Sequence, residues 1–308
     1  MSARTRRTAS AIALAAAVTG TAVVSGTGFA MAAPAAATAK GGTHGTLTIS
    51  NGTQHVLING HWVDFGVIVR DLAWSPDGAK AAFIDGSGNL DIANPNGSGR
   101  VVVAKNPGGQ TWSHPTWQVA PGDHSVGIPA KDNLIFSATA KGASRLEYVS
   151  ATAVHGTPKR LSLGGYPGPG ESPLPQTGNV WPSAAGAHGT SVYANANTGD
   201  VYIRDDYLRQ MGGVIDKGSE PALSPNEEEV VFVRSVAGHD HILVENPTTH
   251  SVKDLTPHAT TDYTEPAWSP DGSMLAVRTP TGTVTMSADG SGRPTKATSV
   301  AGLATYRA

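Results

Sequence analysis

The hexapeptide AWSPDG stands at residues 73–78 and returns unchanged at 267–272, with ALSPNE at 222–227 as a near copy. A chain that repeats itself over such distances is built from structural units, and the unit limits what it can fold into. With Trp74 and Trp268 as common origin, Phe83 aligns with Val277, Gly88 with Gly282, Leu90 with Val284 and Ile92 with Met286. After a one-residue gap NGSGR at 96–100 faces DGSGR at 289–293, so the match runs over about thirty residues. The copy starting at Ala222 continues through Phe232, GHDHILV at 238–244 and KDLT at 253–256. Two degenerate copies start at HPTWQ (114–118) and WPSAA (181–185).

The anchors near 73, 116, 183, 222 and 267 set the period. Ala73 and Thr116 lie 43 residues apart and Ala222 and Ala267 lie 45 apart, while the 106 residues from Thr116 to Ala222 hold two units plus the Pro/Gly-rich insert at 164–178. Units in the forties with four short strands each are the signature of propeller blades. Within a unit the first strand carries a small residue at the crowded axis, Ala73 or Ala267, and then a Trp that wedges against a neighbouring blade. Ser-Pro-Asp-Gly closes that strand. Pro76 and Pro270 fix φ, Asp77 and Asp271 bond locally, and Gly78 and Gly272 tolerate the exit; Pro225 keeps the place in the near copy. KAAFI and MLAVR are second strands apolar enough to be covered on both faces. Gly88 and Gly282 turn the hairpin into NLDIA and TVTMS. The fourth strand is outermost and is expected to be the most polar. The 37 Gly, 21 Pro and many short Val/Ile/Thr runs agree with an all-β chain.

The segments EPAWSPDGSMLAV, PALSPNEEEVVFV and LAWSPDGAKAAFI resemble the WD-repeat-like blades of the TolB-type β-propellers, over roughly residues 67–298. The resemblance implies six blades. The remaining N-terminal strands (GTLTIS, HVLING, HWVDFG) and the C-terminal GLATYRA would supply the sixth between them. Five or seven blades stay open on the sequence alone, because the third unit is degenerate and its insert long. The resemblance also implies a protein-binding scaffold. It departs from TolB itself in the expected absence of an α/β domain before the propeller, which counts against a role in an outer-membrane Tol complex.

Residues 1–39 read as a signal peptide: Arg4, Arg6 and Arg7 precede an uncharged stretch rich in Ala, Val, Gly and Thr, with small-x-small sites at 30–32 and 37–39. The expectation is one propeller domain over 40–308, secreted and extracellular or cell-wall associated, bacterial in type, with no membrane span after cleavage. General secretory and twin-arginine export both stay open. Removing residues 1–39 takes away three Arg and no acid, which moves the formal charge from −2 to about −5 and leaves no basic footprint for nucleic acid. The absence of Cys excludes disulfide staples and thiolate metal sites.

Chemistry-bearing motifs are sparse. There is no G-x-S-x-G, no H-E-x-x-H and no Walker loop. DGSGNLD at 85–91 spaces oxygens like a calcium loop but has Leu90 where that loop needs Gly, and a tight turn explains it. GGQTW at 108–112 reads as a loop, and HDH at 239–241 as a solvated hairpin loop without a third metal ligand.

Aligning the blades gives one candidate site. Three positions before each anchor Trp or Leu lie Asp71, His114, Glu220 and Glu265, and Trp181 takes the place in the degenerate unit. The first strand of a blade starts at one mouth of the central channel, so these side chains should form a partial, mostly acidic ring there. Such a ring would hold calcium or another cation, or grip a basic group of a partner; polar groups at a strand entry can equally be hydrated or cap neighbouring backbone. No other cofactor is implied. The expectation is a monomeric, non-enzymatic propeller that binds a protein of the envelope or extracellular medium. The alternative is an extracellular enzyme or a carbohydrate- or peptide-binding propeller with its site at the same mouth.

Overall fold

A computed structural model describes residues 44–163, 173–205 and 212–308. The expected signal peptide and most of the 164–178 insert lie outside them. All regular structure among the described residues is β, in six four-stranded antiparallel sheets.

In chain order, β1 (Thr46–Ser50), β2 (His55–Ile58) and β3 (His61–Asp64) come first. The first blade is β4 (Arg70–Trp74), β5 (Ala81–Ile84), β6 (Leu90–Ala93) and β7 (Val101–Ala104). The second is β8 (Thr111–Ala120), β9 (Lys131–Ala140), β10 (Ala143–Ser150) and β11 (Lys159–Arg160). The third is β12 (Asn179–Ala184), β13 (Ser191–Asn195), β14 (Asp200–Arg204) and β15 (Gly212–Lys217). The fourth is β16 (Ser219–Leu223), β17 (Val230–Val236), β18 (His239–Asn246) and β19 (Ser251–Asp254). The fifth is β20 (Thr264–Trp268), β21 (Met274–Thr279), β22 (Gly282–Ser287) and β23 (Thr295–Thr298). The closing blade has the order β24-β1-β2-β3, with β24 (Leu303–Arg307) innermost. The inner strands β24, β4, β8, β12, β16 and β20 each pack on the next, and β20 packs on β24 again, so the ring is closed.

The repeated Ser-Pro-Asp-Gly is the corner between inner and second strand. Ser75 Oγ donates to Asp77 Oδ1 at 2.6 Å and accepts Lys80 N–H at 2.9 Å; Ser269 does the same with Asp271 and Met274, at 2.6 and 2.9 Å. Gly78 and Gly272 take the left-handed backbone at φ 67° and 71°. In the near copy Ser224 keeps both bonds, to Asn226 and Glu229, but Glu227 occupies the left-handed position at φ 63°. Its carboxylate crosses to the third blade and accepts Thr190 Oγ1–H at 2.6 Å and His188 N–H at 3.0 Å.

The anchor tryptophans join blades through their indole N–H as well as their surface. Trp74 donates to Thr48 Oγ1 (3.1 Å), Trp117 to the Ala73 carbonyl (3.1 Å) and Trp268 to the Ala222 carbonyl (3.0 Å), each reaching back to the preceding blade. Second strands form the core: Phe83, Phe136, Tyr193 and Phe232 are fully buried.

Two expectations need correction. The outermost strand is polar and exposed in β11, β19 and β23, but β7 is Val-Val-Val-Ala and half buried. A strap from the second blade covers it, with His155 N–H on the Val102 carbonyl (3.0 Å) and Gly156 N–H on that of Val103 (2.7 Å). GGQTW is only partly a loop, since Thr111 opens β8 and Trp112 is buried against Phe136.

A mouth built on five strained bulges

At the start of five inner strands the register with the second strand slips by one residue. The slips fall between Arg70 and Ala73, Ser113 and Thr116, Val180 and Ser183, Ser219 and Ala222, and Thr264 and Ala267. Each is a β-bulge, which re-aims a side chain at the expense of a ladder position. The bulged residues are Asp71 (φ 55°), His114 (51°), Trp181 (50°), Glu220 (51°) and Glu265 (50°), all left-handed and none of them Gly. Left-handed backbone costs an L-residue about 1–2 kcal/mol, so surrounding structure must hold it in place. In four of the five blades the next residue is Pro (115, 182, 221 and 266), which has no N–H to leave unpaired at the broken ladder. The closing blade has no such slip, as β24 and β1 pair without interruption from Thr46↔Arg307 to Ser50↔Leu303.

The side chains at these bulges bond from blade to blade. Asp71 Oδ2 accepts the backbone N–H of His114 at 3.1 Å, and Glu220 Oε2 accepts that of Glu265 at 2.6 Å, so two carboxylates fix the bulge of the following blade. The His114 ring meets the Trp181 ring edge-on, centroids 6.1 Å apart. Glu265 is held by Arg278 Nη1 at 3.0 Å. His114, Trp181, Glu220 and Glu265 line a channel cavity of about 410 Å³, which continues past Ala73, Ala222 and Ala267 to Pro76, Pro225 and Pro270 at the other end. Among the described residues the acidic side chains lining it are Glu220 and Glu265, at one mouth, and Asp71 of the expected ring does not line it.

Burial pushes the Glu220 carboxyl up to about 7; the Glu265 N–H bond opposes this, the Glu265 and Asp240 charges add to it, and Arg278 offsets part. Asp240 and Arg278 escaped the sequence reading. Arg278 did leave a trace, because it stands ten residues after Trp268, where the other aligned copies have Ile84 and Val233.

The remaining candidates fall elsewhere. Asp77 and Asp271 stay in corner turns on separate blades. Asp85 closes its own turn by accepting Ser87 and Asn89 N–H, both at 2.8 Å. HDH is not a solvated loop: the hairpin turn is Ala237-Gly238, and His239–His241 begin β18. His241 is buried on Asp254 at 2.8 Å, and His239 bonds Asp262 at 3.2 Å, so the two imidazoles are spent on different carboxylates. Among the described residues no three His, Asp or Glu side chains are grouped to hold a metal ion.

Six four-stranded antiparallel blades around one channel define a six-bladed β-propeller. More narrowly, the fold is that of the TolB propellers. The chain is similar to TolB from Acinetobacter baumannii, with TM-score 0.60 and 15% identity over 85% of this chain and 66% of that one. It is similar to a putative TolB from Agrobacterium tumefaciens, with TM-score 0.57 and 16% identity over 85% and 91% of the two chains. A chain from the nidogen/laminin complex matches at TM-score 0.55 and 11% identity over 85% and 98%. At these identities the likeness is one of fold, and the chain spans just under two thirds of the Acinetobacter TolB. No protein-family model matches the sequence, and no curated protein does.

Proposed function

We propose that the protein is an exported, non-enzymatic binding propeller that engages a partner protein of the envelope or extracellular space at the mouth carrying Asp71, His114, Trp181, Glu220 and Glu265. One observation carries this reading: five blades each hold a non-glycine residue in strained backbone at the same mouth. Strain repeated at one place is the mark of a surface shaped for use. The mouth offers an aromatic pair beside carboxylates, the composition of a protein-binding hot spot with a charged rim. A propeller of this fold in the nidogen/laminin complex agrees with a scaffold role. Export rests on the leader-like residues 1–39, and the non-enzymatic reading on the lack of a nucleophile–base pair among the described residues of the channel lining.

The test is capture of the partner from culture supernatant, followed by the affinity of a Trp181→Ala variant for the captured protein. A central Trp truncation costs about 2 kcal/mol, or roughly thirtyfold. Equal affinity for wild type and variant would count against the mouth. Saccharide binding with no protein partner would favour the carbohydrate-binding alternative.

A further inference from the structure

The sequence of the bulges decides what the channel wall offers. Pro115, Pro182, Pro221 and Pro266, each next to a bulged residue, all line the cavity. Proline has no N–H, so these rings present methylene surface and no donor to an anion. Trp181 adds aromatic surface, with the His114 ring edge-on to it. The three carboxylates of the mouth are engaged differently. Asp71 lies outside the cavity lining, 3.9 Å from His114 Nδ1. Glu265 is paired with Arg278 at 3.0 Å. Glu220 has no basic side chain within ion-pair distance among the described residues, and its Oε2 accepts the Glu265 N–H at 2.6 Å. Its Oε1 has no donor among the described residues and is not sealed from solvent, so it is reached from the cavity that Glu220 lines. Around it three carboxyl groups, those of Glu220, Glu265 on β20 and Asp240 on β18, share the one guanidinium of Arg278 on β21. A single free oxygen is too few for a metal ion, which takes several. It suits an organic cation carried on a hydrocarbon stem.

We propose that this cavity is a lysine pocket: one lysine side chain of the partner enters the mouth, lays its methylene stem along Trp181 and the proline rings, and ends with its ammonium on Glu220 Oε1. The size agrees. A volume of about 410 Å³ is at the lower end of small-ligand sites, about 300–1,000 Å³, and takes one long side chain with water rather than a folded segment. The charge agrees, since an ammonium supplies the second cation that three carboxyl groups lack. Lysine fits better than arginine. A guanidinium fork uses both oxygens of a carboxylate, and Oε2 of Glu220 is already held by the Glu265 N–H; an ammonium needs only Oε1. That N–H bond favours the ionised carboxylate, so it works with the ammonium and not against it. Indole is also the strongest aromatic partner for a cation. The pocket rests on the reading of this mouth as a protein-binding surface for its occupant, a partner's side chain, and not for its chemistry.

The first experiment needs no partner. Nα-acetyl-lysine methylamide is titrated into the protein at pH 8, with the Trp181 indole N–H followed by NMR, and the arginine and norleucine counterparts serve as comparisons. Lysine should bind about tenfold more tightly than norleucine, which keeps the stem and lacks the charge, and more tightly than arginine. Glu220→Gln should weaken lysine by a similar factor and leave norleucine unchanged. Burial pushes the Glu220 carboxyl up to about 7, and only the ionised form takes the ammonium. Lysine binding should therefore tighten roughly tenfold from pH 6 to pH 8, as the competent fraction rises. His114 also lines the cavity, so the same profile is taken on Glu220→Gln, where it should be flat. Equal binding of lysine and norleucine, arginine bound as tightly as lysine, or no shift at Trp181 overturns the pocket. If Glu220→Gln does not fold, the three-ligand series and the wild-type pH profile decide it. A captured partner weakened by Trp181→Ala but not by Glu220→Gln leaves the mouth as the binding surface and removes the lysine pocket. Lysine uptake as described, with a partner indifferent to Trp181→Ala, keeps the pocket and removes that surface.

Discussion

At the scale of the residue, the same polar side chain does different work at the two ends of an inner strand. Asp71 and Glu220 reach across a seam to fix the backbone of the next blade, whereas Asp77 and Asp271 close their own corners, Asp271 meeting His44 with its second oxygen at 3.0 Å. Asp77→Ala removes the acceptor of Ser75 Oγ–H and Ala79 N–H and should cost about 1 kcal/mol, measured by thermal unfolding, with partner affinity unchanged. Hydrogen bonds, that from Ser75 foremost, hold the Asp77 carboxyl below its ordinary value of 3.8. A depressed carboxyl stabilises the fold above its unfolded value and loses that effect as pH falls through the folded one. The gap in melting temperature between wild type and variant should therefore narrow in acid; a gap that widens would contradict the bonding scheme. The mouth positions were legible because the repeat fixes their place relative to Trp74 and Trp268. Their backbone was not, because a left-handed bulge is ordinarily marked by Gly, and here its one trace is the Pro that follows in four blades. Asp240 and Arg278 were hidden for a different reason: they act on Glu220 from other strands, and one of them comes from the next blade.

At the scale of the element, what joins neighbouring blades is an indole N–H as much as apolar area. Trp117→Phe keeps most of the buried surface but leaves the Ala73 carbonyl without its donor. Ala73 is half-buried and lines the channel, so the expected loss is about 0.5–1.5 kcal/mol, the net worth of one hydrogen bond; a change within a few tenths would mean that water replaces the indole. The outer edges show which contacts the repeat does not encode. Lys and Arg guard β11, and Lys stands in β19 and β23, which is the usual defence of an exposed edge. The apolar β7 depends instead on the strap from the second blade, a long-range contact that no blade alignment reveals. His155 donates from φ 52°, which Pro cannot adopt. His155→Pro should uncover Val101–Val103 and give concentration-dependent association in light scattering. A monomer at all concentrations would show that the strap is not what protects this edge.

At the scale of the whole molecule, the ring depends on one short strand. The channel wall of the closing blade is β24, and it pairs with β1 at five positions from Leu303 to Arg307. The approach is tight: a Cβ on Gly302 would lie 2.4 Å from the Ser50 carbonyl oxygen, and one on Gly78 2.6 Å from that of Ala308. Arg307 Nε also donates to the Gly78 carbonyl at 2.7 Å, and its guanidinium lies 5.3 Å from the centre of the Trp74 ring, so β24 ties the closing blade to the first. Tyr306 is buried enough to push its hydroxyl up to about 12. Ala304 is buried and Leu303 and Tyr306 are half-buried, so together they contribute on the order of 3 kcal/mol, at about 1.5–3 kcal/mol for a fully buried large side chain. That is a large part of the net stability of a domain, about 5–15 kcal/mol. Because each inner strand packs on one other inner strand at each side, the loss of β24 opens both adjacent seams and leaves β1 a bare edge. Deletion of residues 303–308 should therefore abolish the cooperative thermal transition and the near-ultraviolet circular dichroism of the buried aromatics, rather than merely lower the midpoint. A shortened chain that still melts in one sharp transition would mean that five blades close without the sixth inner strand, and that the ring is held by its Trp-mediated seams instead.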